Sequence, residues 1–174
     1  MLDSYKTHLY YGDGKGKTTA ATGLTLRALG SGMKVVYCQF LKNGTSGELK
    51  LLSAMDNIDV LYVKENFGFT WDMTPRQKQR AKVAYTGLFL SAVKAAKDAQ
   101  MLVLDEIVDA VAAGLIDRAV FANNINILKN NIEIVMTGHN PAPQFIDFAD
   151  YVTDMSKIKH PYDENLPARR GIEF

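Results

Sequence analysis

The chain reads as an α/β protein: a mainly parallel sheet with helices on both faces. Short apolar runs alternate with helix-length amphipathic stretches, the pattern of strands joined by helical crossovers. One run, residues 34–41, is apolar on both faces, as strands buried in parallel sheets are. Two other runs end in a glycine-rich turn and in a pair of carboxylates, the kind of chemistry that open α/β sheets gather at their C-terminal edge.

The elements follow in order. Residues 7–11 predict a first strand, and 17–29 a helix closed by Gly30 and Gly32. A second strand at 34–41 leads to a short helix at 47–55 and a third strand at 58–63. Residues 66–73 read as a loop, after which Pro75 opens a long helix to about residue 99. Proline suits a first helical turn, where its missing N–H has no partner to lose. Fourth and fifth strands fall at 101–104 and 132–136, with helical patterns at 107–113 and 118–128 between them. A sixth strand at 151–155 precedes an irregular tail. No repeat, linker or low-complexity segment divides the chain, so its 174 residues read as one domain.

Composition narrows the classes. Hydrophobic residues at 47% and charged residues at 22% describe an ordinary globular protein. A formal net charge of +1 offers no basic field for nucleic acid, and no polybasic block faces a membrane. The start, Met1-Leu2-Asp3-Ser4-Tyr5-Lys6, lacks a signal-peptide pattern. No apolar run approaches the ~18 residues of a membrane span. Cytoplasm is the expected location. A single cysteine, Cys38, excludes an internal disulfide and reads as a buried, inert thiol.

Residues 9–19 carry the main chemical signal: Leu-Tyr-Tyr-Gly-Asp-Gly-Lys-Gly-Lys-Thr-Thr. This is a phosphate-binding loop, in which backbone N–H groups converge on an anion at a helix N-terminus. Gly12, Asp13, Gly14, Lys15, Gly16, Lys17, Thr18 and Thr19 form the candidate nucleotide cradle. Lys17 would reach the phosphates, and the Thr18 hydroxyl would sit on Mg²⁺. The usual pattern places a glycine where this chain has Tyr11, so the cradle is one residue short.

Four further clusters accompany it. Met101-Leu-Val-Leu-Asp105-Glu106 delivers two acids to the strand end, for a metal ion or, more plainly, to cap the next helix. Phe67, Phe69 and Trp71 crowd the 66–73 loop, either as a plug over the sheet edge or as a wall for a large flat ligand. Thr137-Gly138-His139 follows the fifth strand; His139 is a candidate phosphate contact or general base, with no paired acid in the local sequence to favour the second. The tail, with Lys159-His160-Pro161-Tyr162-Asp163 and Arg169-Arg170-Gly171-Ile172-Glu173-Phe174, reads as a solvated segment whose charges of both signs do not make a like-charge block.

Together these residues resemble the ATP:corrinoid adenosyltransferases of the phosphate-loop type, the CobA/BtuR family. The resemblance runs from about Leu9 to Phe174. It rests on the shortened loop, Val36-Tyr-Cys-Gln39-Phe40, Gly68-Phe69-Thr70-Trp71, Leu104-Asp105-Glu106, Thr137-Gly138, Ile158-Lys159-His160 and the Gly171-Ile172-Glu173-Phe174 end. It implies a phosphate-loop NTPase fold of the RecA-like type. It also implies ATP held in reverse, with the ribose 5′ carbon offered to the Co(I) of a reduced corrinoid and triphosphate leaving. Lys17 and the loop amides would stabilise the departing charge. Thr18 and Glu106 match the metal-associated positions, with Asp105 supporting them. Phe69 and Trp71 match aromatics that displace the lower cobalt ligand, so that a flavoprotein can reduce Co(II). Homodimers are usual in the family.

Three departures qualify the match. Few residues precede the first strand, where the family carries a helix that helps cover the corrinoid, so closure is expected to be weaker or borrowed from a partner subunit. His139 stands where the pattern has arginine, which puts a fixed positive phosphate contact in doubt. Asp13 replaces asparagine and must point away from phosphate or cap the turn. The rival readings are a phosphate-loop kinase or ATPase, which would release ADP, and a carrier that binds nucleotide or corrinoid without turnover.

Overall fold

Short runs rich in apolar residues, continuous in two inner strands buried on both faces, build six parallel strands, and the helices between them cover both faces. The structure, a computed structural model, describes residues 4–68 and 70–173. The strands are β1 (Thr7–Tyr11), β2 (Val35–Gln39), β3 (Ile58–Tyr62), β4 (Met101–Asp105), β5 (Glu133–Gly138) and β6 (Tyr151–Asp154). They lie in the order β3-β2-β4-β5-β1-β6, and every neighbouring pair is parallel. The mainly parallel, doubly covered α/β sheet expected from the sequence is therefore present, and parallel throughout.

Strand periodicity divides the core in two. Met101 and Val103 of β4 face one side with Val35, Tyr37 and Val135. There they meet Ala21 and Ala28 of α1 (Lys17–Gly30), and Leu49 and Leu52 of α2 (Gly47–Leu52). Leu102 and Leu104 face the other side, against α3 (Pro75–Ala96), α4 (Ile107–Ala112), α5 (Arg118–Leu128) and α6 (Pro143–Phe148). Phe89, Phe121 and Phe145 tie three of these helices together, with successive ring centroids 5.4 and 5.1 Å apart. Burying a side chain such as Phe89 is worth ~1.5–3 kcal/mol, so this aromatic run anchors the helical layer.

Helix ends obey local chemistry. Thr74 and Gln77 form a reciprocal capping box ahead of Pro75, the start that the proline signalled. Asp117 accepts from the amides of Ala119 and Val120 at 2.9 and 3.1 Å, which starts α5. The long helix stops at Ala96 rather than near residue 99, because Lys97, Asp98 and Ala99 close tighter i→i−3 turns. β2 ends at Gln39 rather than residue 41, since Leu41 takes φ 56° and turns the chain. β5 runs on to Gly138, so Thr137 and Gly138 are strand residues, paired with Tyr10 and Tyr11. α6 and a 3₁₀ turn at Pro161–Glu164 carry too few residues for a periodic signal.

The C-terminal ends of β1, β4 and β5 are adjacent, with β5 between the other two. The glycine loop, the acid pair and His139 therefore emerge at one edge of the sheet.

Candidate active site

The loop is shaped by glycine and pinned by the far end of the chain. Gly12 (φ 114°) and Gly16 (φ 121°) adopt backbone angles that other residues reach only under strain. Gly14 is required for a different reason: a Cβ there would run into the Met155 carbonyl oxygen and lie 2.9 Å from Ser156 backbone. Its N–H donates to that carbonyl at 2.7 Å, and Gly12 N–H donates to the His139 carbonyl at 3.0 Å. Asp13 turns away from the cradle and accepts from Lys157 N–H at 3.0 Å, which holds its carboxyl below the usual range. The aspartate that departs from the family pattern thus braces the turn.

Lys17 Nζ curls over the loop and donates to the carbonyls of Gly12 (2.6 Å) and Gly14 (2.8 Å). Burial lowers its pKa, against the pull of Asp109, Glu106, Asp13 and Asp105. Lys15 and Thr19 lie at the surface, Lys15 4.0 Å from Glu173 of the tail. This is the one ion pair tying the tail's last turn to the loop among the described residues.

Asp105 is fully buried and is the hub of the site. Its Oδ1 accepts from Thr18 Oγ1 (2.9 Å) and Thr137 Oγ1 (2.8 Å), and its Oδ2 from Gln39 Nε2 (3.1 Å) and Lys42 Nζ (3.3 Å). Gln39 is itself fixed by Ser46, whose hydroxyl donates to Gln39 Oε1 at 3.2 Å, and by Glu48 at 3.3 Å. Glu106 takes the left-handed conformation (φ 61°), and its N–H donates to Thr137 Oγ1 at 2.8 Å. That strained turn swings its carboxylate beside Asp105, where Lys42 Nζ meets it at 3.0 Å. Burial raises the Glu106 pKa; Lys42 opposes that and Asp105 adds to it. Burial disfavours the Lys42 ammonium, but the two carboxylates outweigh it and its pKa is raised. The acids therefore do not cap the next helix, contrary to the plainer reading of the sequence: α4 starts without any side-chain cap, and the carboxylates turn into the site instead.

His139 corrects an expectation. Its local sequence offers no paired acid, but Asp109, on α4, lies 3.0 Å from Nδ1 and accepts from the His139 N–H at 3.1 Å. The bond to Asp109 raises the His139 pKa, with burial opposing. The imidazole is therefore held closer to the cationic form than a free histidine, which restores part of the charge that an arginine would supply. Gly138 makes room for this arrangement, since a Cβ there would strike Val108.

The aromatic loop divides its residues. Phe67 is buried and packs on Tyr85, ring centroids 5.9 Å apart, so it is a plug over the sheet edge. Trp71 is 76% exposed. Phe69 lies outside the described residues. The tail beyond β6 is exposed almost throughout, as expected of a solvated segment, apart from its contacts with the loop.

The structure brings Gly12, Gly14, Gly16, Lys17, Thr18, Asp105, Glu106 and His139 to one edge. Sequence reasoning missed Lys42, Gln39 and Asp109 as partners of that edge. Lys42 falls just beyond a strand end that terminates there, a signal available in principle. Asp109 looks like an ordinary helix residue. Cys38 is buried with its thiol pKa pushed up by that burial, the inert state expected.

A glycine loop after one strand of a parallel sheet, leading into a helix beside strand-end acids, defines a phosphate-loop α/β protein. Residues 4–174 match the family described as ATP:corrinoid adenosyltransferase BtuR/CobO/CobP, and the chain belongs to that family. It is 33% identical over 166 residues to a corrinoid adenosyltransferase of Pseudomonas aeruginosa, covering 95% of this chain and 82% of that protein. It is 31% identical over 168 residues to the corrinoid adenosyltransferase of Escherichia coli K12, covering 95% and 84%. The Salmonella typhimurium corrinoid adenosyltransferase CobA matches to the same extent: 31% identity over 168 residues, 95% of this chain and 84% of that protein. Among solved structures, replication initiator DnaA bound to AMPPCP and single-stranded DNA aligns with a TM-score of 0.46 at 14% identity, over 96% of this chain and 48% of that one. No helix among the described residues is long and apolar enough to cross a membrane.

Proposed function

We propose that this chain transfers the 5′-deoxyadenosyl group of ATP to the Co(I) of a reduced corrinoid and releases triphosphate. The cobalt–carbon bond forms as the bond from the 5′ carbon to the triphosphate oxygen breaks, with both electrons of the new bond coming from Co(I). The observation that carries the reading is the joining of a shortened phosphate loop to the Asp105 hub through Thr18, in a chain of this family. Negative charge grows on the leaving triphosphate, so the chain's task is to hold positive charge and N–H donors around it. Lys17 leaves its two loop carbonyls to meet the phosphates, at little cost because neutral acceptors are exchanged for anionic ones. His139, whose cationic form Asp109 favours, adds a further contact.

Mg²⁺ fits the donor set: a hydroxyl and two carboxylates are hard oxygen ligands of the kind this ion selects. Thr18 and Glu106 would hold it, with Asp105 orienting the Thr18 hydroxyl. When bound, Mg²⁺ supplies electrostatic neutralisation of the triphosphate.

Phe69 and Trp71 are aromatic side chains with no lone pair to offer cobalt, a chemistry that would favour a four-coordinate corrinoid that is easier to reduce. A flavoprotein reductant, a homodimer, a single domain and a cytoplasmic setting complete the reading.

The test is an anaerobic assay with Mg·ATP and chemically reduced cobalamin. Adenosylcobalamin and triphosphate over many turnovers, lost in Lys17→Ala, are expected. ADP without adenosylation would make the chain a kinase or ATPase, and a single stoichiometric turnover would make it a carrier.

A further inference from the structure

A lysine that no motif announces sits among the oxygens assigned above to the metal ion. Leu41 turns the chain at the end of β2 and directs Lys42 back over β4. Its Nζ lies 3.0 Å from Glu106 Oε1, 3.3 Å from Asp105 Oδ2 and 3.4 Å from Thr18 Oγ1. Among the described residues it is the one cation in ion-pair range of either carboxylate.

We infer that Lys42 is the resident counter-ion of the acid pair, which a divalent cation must displace, so that metal enters together with the nucleotide whose phosphates receive the released ammonium. The inference rests on the metal reading of Thr18, Asp105 and Glu106. Two acids side by side, one of them fully buried, are costly without a counter-charge, and Lys42 supplies it in the nucleotide-free protein. An ammonium and a divalent ion cannot share three oxygens a few ångströms apart, because two cations at that distance repel strongly in a part-buried site. Metal binding therefore competes with the lysine. A triphosphate group removes the conflict, since it gives the displaced ammonium a new anionic partner.

The side chain suits such a move. Lysine is a compact point charge on a flexible four-carbon stem, unlike the rigid fork of arginine. Its side chain is 30% exposed, so the ammonium can leave the acids without crossing packed core. Departure of triphosphate with the metal would return Lys42 to the acids and reset the site.

Manganese is the probe, read by the loss of free-ion EPR signal in titrations of the full chain. Without nucleotide, wild type is expected to bind Mn²⁺ weakly, and Lys42→Met at one site at least tenfold more tightly. With ATP present that advantage disappears. Melting temperature gives a second readout: Lys42→Met is expected to melt lower than wild type in EDTA and to recover with Mn²⁺, which barely moves wild type. Unchanged or weaker Mn²⁺ binding by folded Lys42→Met without nucleotide would overturn the inference. Failure of the underlying metal reading looks different: Thr18→Val and Glu106→Gln would leave Mn²⁺ binding by the ATP complex unaltered.

Discussion

Asp105→Asn isolates how much the hub of the site holds together, because the change keeps shape and removes only charge and acceptor capacity. The carboxylate accepts four hydrogen bonds, two at each oxygen. An asparagine has one oxygen and one NH₂, so either orientation points two donors at donors. Turning the NH₂ toward the hydroxyls is the milder choice, since they can rotate, but Thr137 Oγ1 already accepts from Glu106 N–H. The two hydroxyl bonds end on a charged acceptor and are worth ~1.5–3 kcal/mol each, which, less what rotation of the Thr18 hydroxyl recovers, sets the loss near 3–5 kcal/mol. That agrees with the ~3–5 kcal/mol found when one partner of a buried ion pair is removed. For a chain of this length each kcal/mol shifts the melting point by ~2–4 °C, so a fall of roughly 6–20 °C is expected. The assay is urea unfolding followed by circular dichroism at neutral pH, in EDTA and without nucleotide. The midpoint should fall at constant slope. A loss below about 1 kcal/mol would refute the reasoning, because such a value belongs to an exposed polar contact.

Gly14→Ala should destabilise by ~1–3 kcal/mol and loosen the tail, since the new methyl meets backbone that cannot rotate away; urea melts and limited proteolysis beyond Asp154 would register it. His139 should make nucleotide affinity fall with rising pH. Its folded pKa is raised, so the cationic pairing with Asp109 is complete below the unfolded value of about 6.5 and is lost as pH climbs through the raised one. ATP titrations at several pH values should show the dependence in wild type and its loss in His139→Arg; equal pH dependence in both would remove His139 from phosphate binding. Trp71→Ala, at an exposed position, should change stability by less than about 0.5 kcal/mol, while Phe69→Ala and Trp71→Ala cut turnover from Co(II) and spare ATP affinity. Full activity in the double variant would end the aromatic role.

What the sequence made legible was local or periodic. The glycine loop, the acids at the end of β4 and the proline-led α3 each sit in a pattern a few residues long, and each appears where that pattern places it. Strand and helix identities followed from spacing, whereas ends were decided by single events such as the φ of Leu41. The site's partners were hidden for a different reason. Lys42 and Asp105 are 63 positions apart, and His139 and Asp109 are 30 apart. Only the order of strands brings them together, and no local pattern encodes strand order. For the same reason His139 looked unpaired, and Asp13 looked like a misplaced charge, until the tail supplied Lys157.

The placement of β1 also bears on how the protein is made. It is translated before any other strand of the sheet, yet its two neighbours, β5 and β6, are the last. Thr7 N–H finds Asp150 across 143 residues, a gap that takes ~7–30 s to synthesise at ~5–20 residues per second. The glycine loop lacks the His139 carbonyl until β5 has been made, and the Met155 carbonyl until β6 has been passed. A nascent chain can begin to assemble β2, β3 and β4 around Tyr37 and Val103 well before it owns a nucleotide cradle. Nucleotide capture is thereby reserved for chains that have been read through to β6, so ribosome-bound fragments ending before Tyr151 should not be retained on immobilised ATP.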